Sequence, residues 1–144
     1  MILFFDTSAL VKLFNNEQGS EEVTNLIIDP SNEVVVLELA QIEIQSAIYR
    51  KIRSKEIGED KLEKIQEAID EQFEIFTIIP FGTDIIEETK ILIKQYGKQF
   101  GLRTLDALHV AAWSLIAGSD WQFVSSDKNQ LSVVEMMNFS TLQV

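Results

Sequence analysis

Four acidic residues stand where a folded chain has little reason to put them. Asp6 ends the apolar run ILFF, and Asp127 ends a second one in FVSSD. Asp106 is the only acid in a stretch from Thr104 to Ala117 that is apolar nearly all round. Glu43 has Leu39 and Ala47 one helical turn away on either side. A buried carboxylate is costly unless something pairs with it, and several in one dry pocket raise each other's pKa. The simplest compensation is a hard divalent cation, Mg²⁺ or Mn²⁺, which prefers carboxylate and water oxygens. Thr7, Ser8 and Ser125 are placed to orient the acids as hydrogen-bond donors. A cation held this way activates water and stabilises a phosphoryl transition state. With no thiol and a single histidine in the chain, hydrolysis of a phosphodiester by water is the chemistry these residues point to.

Each acid also has a plainer reading. Asp6 and Asp127 are good caps for the helices that follow them. Asp106 falls in the first turn of its helix, where negative charge suits the dipole. Glu43 could pair at the surface with Arg50 or Lys51, for little energy. Taken together these readings weaken, because all four acids have strongly apolar neighbours and two fall at strand ends. In open parallel sheets, ligands bind beyond those ends.

The elements that must position the acids can be read from periodicity. Ile2 to Phe5 and Val34 to Leu37 are short apolar runs that predict buried strands, and Ser8 to Phe14 reads as a helix between them. Gly19-Ser20-Glu21-Glu22 looks like a fresh helix start with a hydroxyl cap and acids in the first turn. Leu39 to Ser54 turns helical, Ile57-Gly58 breaks the pattern, and Leu62, Ile65, Ile69 and Phe73 mark a second, charged helix. The two predict a helical hairpin at about 39–75. A third strand over Phe76 to Ile79 is closed by Pro80. Asp84 with Glu87 is a weak capping-box signal for a helix ending near Tyr96-Gly97. The helix from Thr104 to Ala117 leaves no polar face, so it belongs in the core. Gln122 to Val124 and Phe139 to Val144 complete five strands. Strands alternating with helices argue for an α/β fold with a parallel sheet, helices on both faces, and one domain spanning 1–144.

Composition bounds the rest. A hydrophobic fraction of 46% is enough for a core. The absence of cysteine excludes a disulfide framework and fits a reducing cytosol. No signal peptide and no membrane-spanning run is visible, so a soluble cytoplasmic protein is expected. The net charge of −11 is awkward for a nucleic-acid partner. The local exception is the basic cluster Arg50, Lys51, Arg53 and Lys55. Its plain reading is a solvated helix end; its functional one is a few points of grip on RNA. His109, three residues after Asp106, reads as a buried histidine or one that supports the acids, and Trp113 reads as core.

The motifs resemble those of the PIN-domain nucleases, most closely the VapC-like toxins of bacterial and archaeal toxin–antitoxin pairs. FDTSALVKLF is similar to that family's opening strand and first acid, EIQSAIYRK to its helix with the second. LRTLDALHVAAW resembles its third-acid helix, and FVSSDKNQ its strand, hydroxyl and fourth acid. The order is kept from Asp6 to about Leu131. Ser125 stands where the family often has threonine, which preserves the hydroxyl. The resemblance implies a small parallel five-stranded sheet and ribonuclease activity dependent on Mg²⁺ or Mn²⁺. Asp6, Glu43, Asp106 and Asp127 would form the acidic site, Asp6 and Asp106 being the surest metal ligands, with Asp127 and Glu43 contributing directly or through water. It also implies a homodimer and a small antitoxin whose tail covers the site. Two other strand-then-Asp folds fit less well. A haloacid-dehalogenase phosphatase needs a second aspartate where Ser8 stands, and a receiver domain needs an early acid pair that Asp6 lacks. A PIN-like scaffold that binds without catalysing, or a PIN nuclease of RNA processing with no toxin role, remains the alternative.

Overall fold

A computed structural model describes all 144 residues. Strands β1 (Ile2–Phe5), β2 (Glu33–Leu37), β3 (Thr77–Ile79), β4 (Gln122–Ser125) and β5 (Ser140–Gln143) form one sheet in the order β3-β2-β1-β4-β5. Every neighbouring pair is parallel. Phe4 lies between Val35 and Phe123, and Phe5 between Val36 and Val124. The expected five-stranded parallel sheet is therefore present.

Helices α1 (Thr7–Leu10), α2 (Ser20–Ile28), α3 (Ala40–Arg53) and α4 (Leu62–Ile75) belong to the first half of the chain, and α5 (Thr83–Phe100), α6 (Thr104–Ile116) and α7 (Lys128–Met136) to the second. The two halves cover opposite faces. Alternation along the strands sends Leu3, Phe5, Val34, Val36 and Val124 to one core, with Leu10, Val23, Ile44, Ile48 and Ile69. It sends Phe4, Val35, Leu37 and Phe123 to the other, with Ile85, Leu92, Val110, Trp113 and Val134. Crossovers that must stay right-handed change face when the strand order reverses. The chain moves outward from β1 to β3 and then returns to β4 on the far side of β1. The switch point, where clefts form in such sheets, thus lies beside the end of β1.

The hairpin is real: α3 and α4 are joined by a reciprocal amide pair, Gln45 with Gln66, at 2.8 and 2.7 Å. Several local expectations need correction. The first helix is one α turn followed by a 3-10 turn over Val11–Leu13. Ser20 does not cap α2: its hydroxyl accepts from the Glu17 N–H and donates to the Asn15 carbonyl, closing the loop before the helix. Asp84 does not cap α5 either. It lies inside the first turn, where Oδ1 accepts from the Ile85 N–H, and Gly82 takes the cap position. That helix runs past Gly97 to Phe100, and Gly101, at φ 63°, ends it. A helix tolerates an interior glycine at about 1 kcal/mol, whereas the left-handed turn needs one. Finally, α6 is not buried all round. Leu105 and Leu115 are exposed.

Candidate active site

Asp6 follows β1 with extended backbone and caps α1, Oδ1 accepting from the Ala9 N–H at 3.0 Å. Ser8 Oγ donates to the same carboxylate at 2.8–2.9 Å, and Ser125 Oγ, at the end of β4, lies 3.0 Å from Oδ2. The side chain is only 3% exposed. Burial is the largest influence on it and lifts the carboxyl above its ordinary range. The charge of His109 and the bonds from Ala9, Ser8 and Ser125 work against that rise without cancelling it. The plainer reading and the functional one are both present in Asp6: it caps a helix, and it is a desolvated acid at a cleft.

Glu43 faces Asp6's neighbours from α3. Its Oε1 accepts from Thr7 Oγ at 2.9 Å and from His109 Nε2 at 2.5 Å. An ionised carboxylate only accepts, so the histidine proton is assigned to Nε2. His109 is 2% exposed and its Nδ1 has no partner. Neither Arg50 nor Lys51 bonds to Glu43. Glu38, the other acid nearby in sequence, is instead exposed and receives the Phe81 N–H at 2.9 Å.

Asp106 is half-buried in the first turn of α6. Burial comes first in raising its pKa, and the charges of Asp127 and Asp6 add to it. Arg103 and His109 act in the opposite sense. Arg103 Nε is 3.9 Å from Asp106 Oδ2, but its side chain is 86% exposed, so the pair is worth little. Asp127 caps α7, Oδ1 accepting from the N–H groups of Asn129 and Gln130 at 2.8 and 3.2 Å.

These elements enclose a cavity of about 240 Å³ lined by Asp6, Thr7, Ser8, Glu43, Asp106 and His109, with Val11, Ser46, Ala47, Arg50 and Leu105 completing the wall. Asp127 and Ser125 do not line it; Ser125 bonds to Asp6, and the charge of Asp127 acts on Asp106. A larger hollow, about 440 Å³ beside Leu13 and Ile65, gathers no buried acid. Of the basic cluster, Arg50 reaches the cavity and Arg53 is exposed at the end of α3. Lys51 is held by Glu17 at 3.3 Å and Glu56 at 3.2 Å. Burial works to lower the Lys51 pKa, and the bonds to Glu56 and Glu17 outweigh it and raise it.

Carboxylates and hydroxyls are the donor set of a hard cation, and like charge between Asp6, Asp106 and Asp127 is what such an ion relieves. No three acidic or imidazole side chains meet at ligating distance of one point. Mg²⁺ is commonly bound by one or two carboxylates with several waters, so what supports an ion here is the chemistry of Asp6, Asp106 and the hydroxyls around them and not a ready-made cage. The residues fit the group on those terms.

A family model for the PIN domain matches residues 3–135. The chain belongs to the PIN domain family. No functionally curated protein matches it. Among solved structures, this PIN chain is similar to VapBC2 from Rickettsia felis bound to a DNA fragment from its promoter, at 15% identity and a TM-score of 0.65, covering 100% of this chain and 99% of that one. It is also similar to FitAcB from Neisseria gonorrhoeae, at 14% identity and a TM-score of 0.68, covering 99% and 97%. VapBC-1 from nontypeable Haemophilus influenzae aligns at 16% identity and a TM-score of 0.64, covering 99% and 98%. At such identities the likeness establishes the fold. No helix of this PIN domain is long and apolar enough to cross a membrane.

The sequence reading missed Gln130, a buried amide that bonds to Ser125 and to the Asp106 backbone. Its only sequence signal is a polar residue next to Leu131 on α7. The reading also left open what His109 touches.

Proposed function

We propose that the chain, as a single domain, is an endoribonuclease that uses Mg²⁺ or Mn²⁺. The observation that carries this reading is Asp6: a desolvated carboxylate with raised pKa, at the switch point of the sheet, sharing a cleft with Glu43 and Asp106. Asp6 and Asp106 would hold the cation, and Asp127 and Glu43 would contribute directly or through water. When bound, the ion supplies Lewis acidity toward a phosphoryl oxygen and lowers the pKa of water.

The chain's own side chains do the remaining work. Ser8 and Ser125 fix the two Asp6 oxygens. Thr7 and His109 both bond Oε1 of Glu43, leaving Oε2 available to orient water. Arg50 on the cavity wall is placed to take a substrate phosphate, and Arg53 lies further along the same helix end. Lys51 can join them only by leaving Glu17 and Glu56. A grip limited to so few cations explains how a chain of net charge −11 can accept RNA without binding it broadly.

The biological reading is the toxin of a VapBC-type pair, acting in the cytoplasm as a homodimer and restrained by a small antitoxin that covers the acidic site. It is supported by neighbours that are themselves complexes of this type. A catalytically silent PIN scaffold is the competing reading, favoured by the lack of three converged acids.

The test is the chemistry of the product ends. Attack by water needs no neighbouring hydroxyl, so cleavage should yield no 2′,3′-cyclic phosphate, and a substrate with a 2′-deoxy residue at the cut position should still be cleaved. Cyclic ends, or loss of cleavage in the deoxy substrate, would assign attack to the RNA itself. No cleavage of any RNA in the presence of divalent ions would favour the silent scaffold.

A further inference from the structure

Gln130 is 1% exposed, on α7 among buried Leu131, Val133 and Val134. An amide in such company is costly unless bonded, and this one is bonded across three elements. Nε2 donates to the backbone carbonyl of Asp106 at 3.0 Å. Oε1 lies 3.0 Å from Ser125 Oγ. The backbone N–H of the same residue donates to Asp127 Oδ1 at 3.2 Å. A carbonyl can only accept, so the bond to Asp106 fixes which end of the amide faces Ser125.

Ser125 then carries one proton between two acceptors, Gln130 Oε1 and Asp6 Oδ2, each at 3.0 Å, while its oxygen accepts from the Asp127 N–H at 2.9 Å. Through these bonds the carboxamide is connected to the Asp106 backbone and, through the Ser125 hydroxyl, to the Asp6 carboxylate and the Asp127 N–H, while the Gln130 backbone N–H holds the Asp127 carboxylate. No hydrogen bond joins any two of the three acids. Their separation depends on how the end of β4 is fastened to the first turn of α6, and the Gln130 carboxamide is a direct tie between the two.

We propose that Gln130 is a positioning residue of the acidic site, its buried carboxamide setting the placement of Asp6, Asp106 and Asp127 by joining Ser125 to the start of α6. The inference rests on the reading of those acids as a divalent-cation site. It predicts that Gln130 acts on the cation through Ser125, which a residue needed only for packing would not do.

The experiment is calorimetric titration of the full-length chain with Mn²⁺ alone, for wild type, Gln130→Met, Ser125→Ala and the double variant, each first shown to melt cooperatively. Methionine keeps the length and apolar fit and removes both side-chain bonds. Residues that orient a metal's ligands typically cost roughly 10- to 100-fold in affinity when removed, and that is the loss expected for Gln130→Met. The double variant should bind no more weakly than the worse single one, because both substitutions break one path. Unchanged affinity in a folded Gln130→Met, or losses that multiply in the double variant, would overturn the proposal. Should Gln130→Met not fold, Gln130→Leu removes the same two bonds without burying a charge, and the same loss is expected of it. Wild type that binds no Mn²⁺ would overturn the cation reading itself and this inference with it, an outcome distinct from a Gln130 variant that binds as well as wild type.

Discussion

Asp6→Asn should lower RNA cleavage by at least about a thousandfold, roughly 4 kcal/mol of barrier, and should raise the melting temperature of the metal-free protein. The two effects share one cause. Burial lifts the Asp6 carboxyl, so the folded chain keeps its proton over a pH range in which the unfolded chain has released it. Stability therefore falls as pH rises from the ordinary aspartate value, about 3.9, through the raised one, and Asp106 contributes in the same sense. Asparagine does not titrate, and it still caps α1. Its gain should be seen in neutral, metal-free buffer as a higher melting temperature than wild type, and should shrink toward pH 4. Added Mn²⁺ should stabilise wild type by mass action and leave Asp6→Asn nearly unmoved. Thermal melts at several pH values, with and without Mn²⁺, measure this. A variant that melts lower than wild type at neutral pH would mean that the bonds from Ser8, Ser125 and Ala9 outweigh the cost of burying the charge.

The second large effect is on the core that holds α6. Trp113 is fully buried and meets four aromatic rings: Phe4 at 5.9 Å, Phe123 at 5.7 Å, Phe139 at 5.5 Å and Trp121 at 6.2 Å between centroids. These come from β1, β4, the segment before β5 and the loop before β4, so one side chain joins α6 to the sheet. Trp113→Ala should cost about 3–5 kcal/mol, a fall in melting temperature of roughly 10–15 °C. Cleavage should fall with it, because Asp106 and His109 ride on the same helix. Trp113→Phe should cost much less. It keeps most of the ring contacts and removes an indole N–H that has no acceptor, and such a group is expensive to bury. A drop of under about 3 °C for Trp113→Ala would show that the aromatic cluster does not anchor α6.

What the sequence made legible is what is local. Apolar runs and helical spacing mark the strands and the α3–α4 hairpin because burial imposes those periods on neighbouring residues. Asp6 and Asp127 stood out because each ends an apolar run, and both are the helix caps that those positions predict. The rest depends on residues far apart in the chain. Lys51 reads as a partner for Glu43 or a point of grip on RNA, but Glu17, from the loop before α2, holds it together with Glu56. Leu105 and Leu115 followed the apolar pattern of α6, yet only packing against α5 and the sheet decides which side of that helix is covered. Gly97 and Gly101 are equivalent as letters; the left-handed turn falls at Gly101. Gln130 reads as an ordinary helix residue until α6 is laid against it.

The most direct test of the account is cleavage of labelled RNA by the purified chain in Mg²⁺, in Mn²⁺ and in excess chelator, with folded Asp106→Asn alongside. Wild type should cut in either ion, with no cutting in chelator and none by the variant. Cleavage that survives the chelator, or that Asp106→Asn performs as well as wild type, would contradict it.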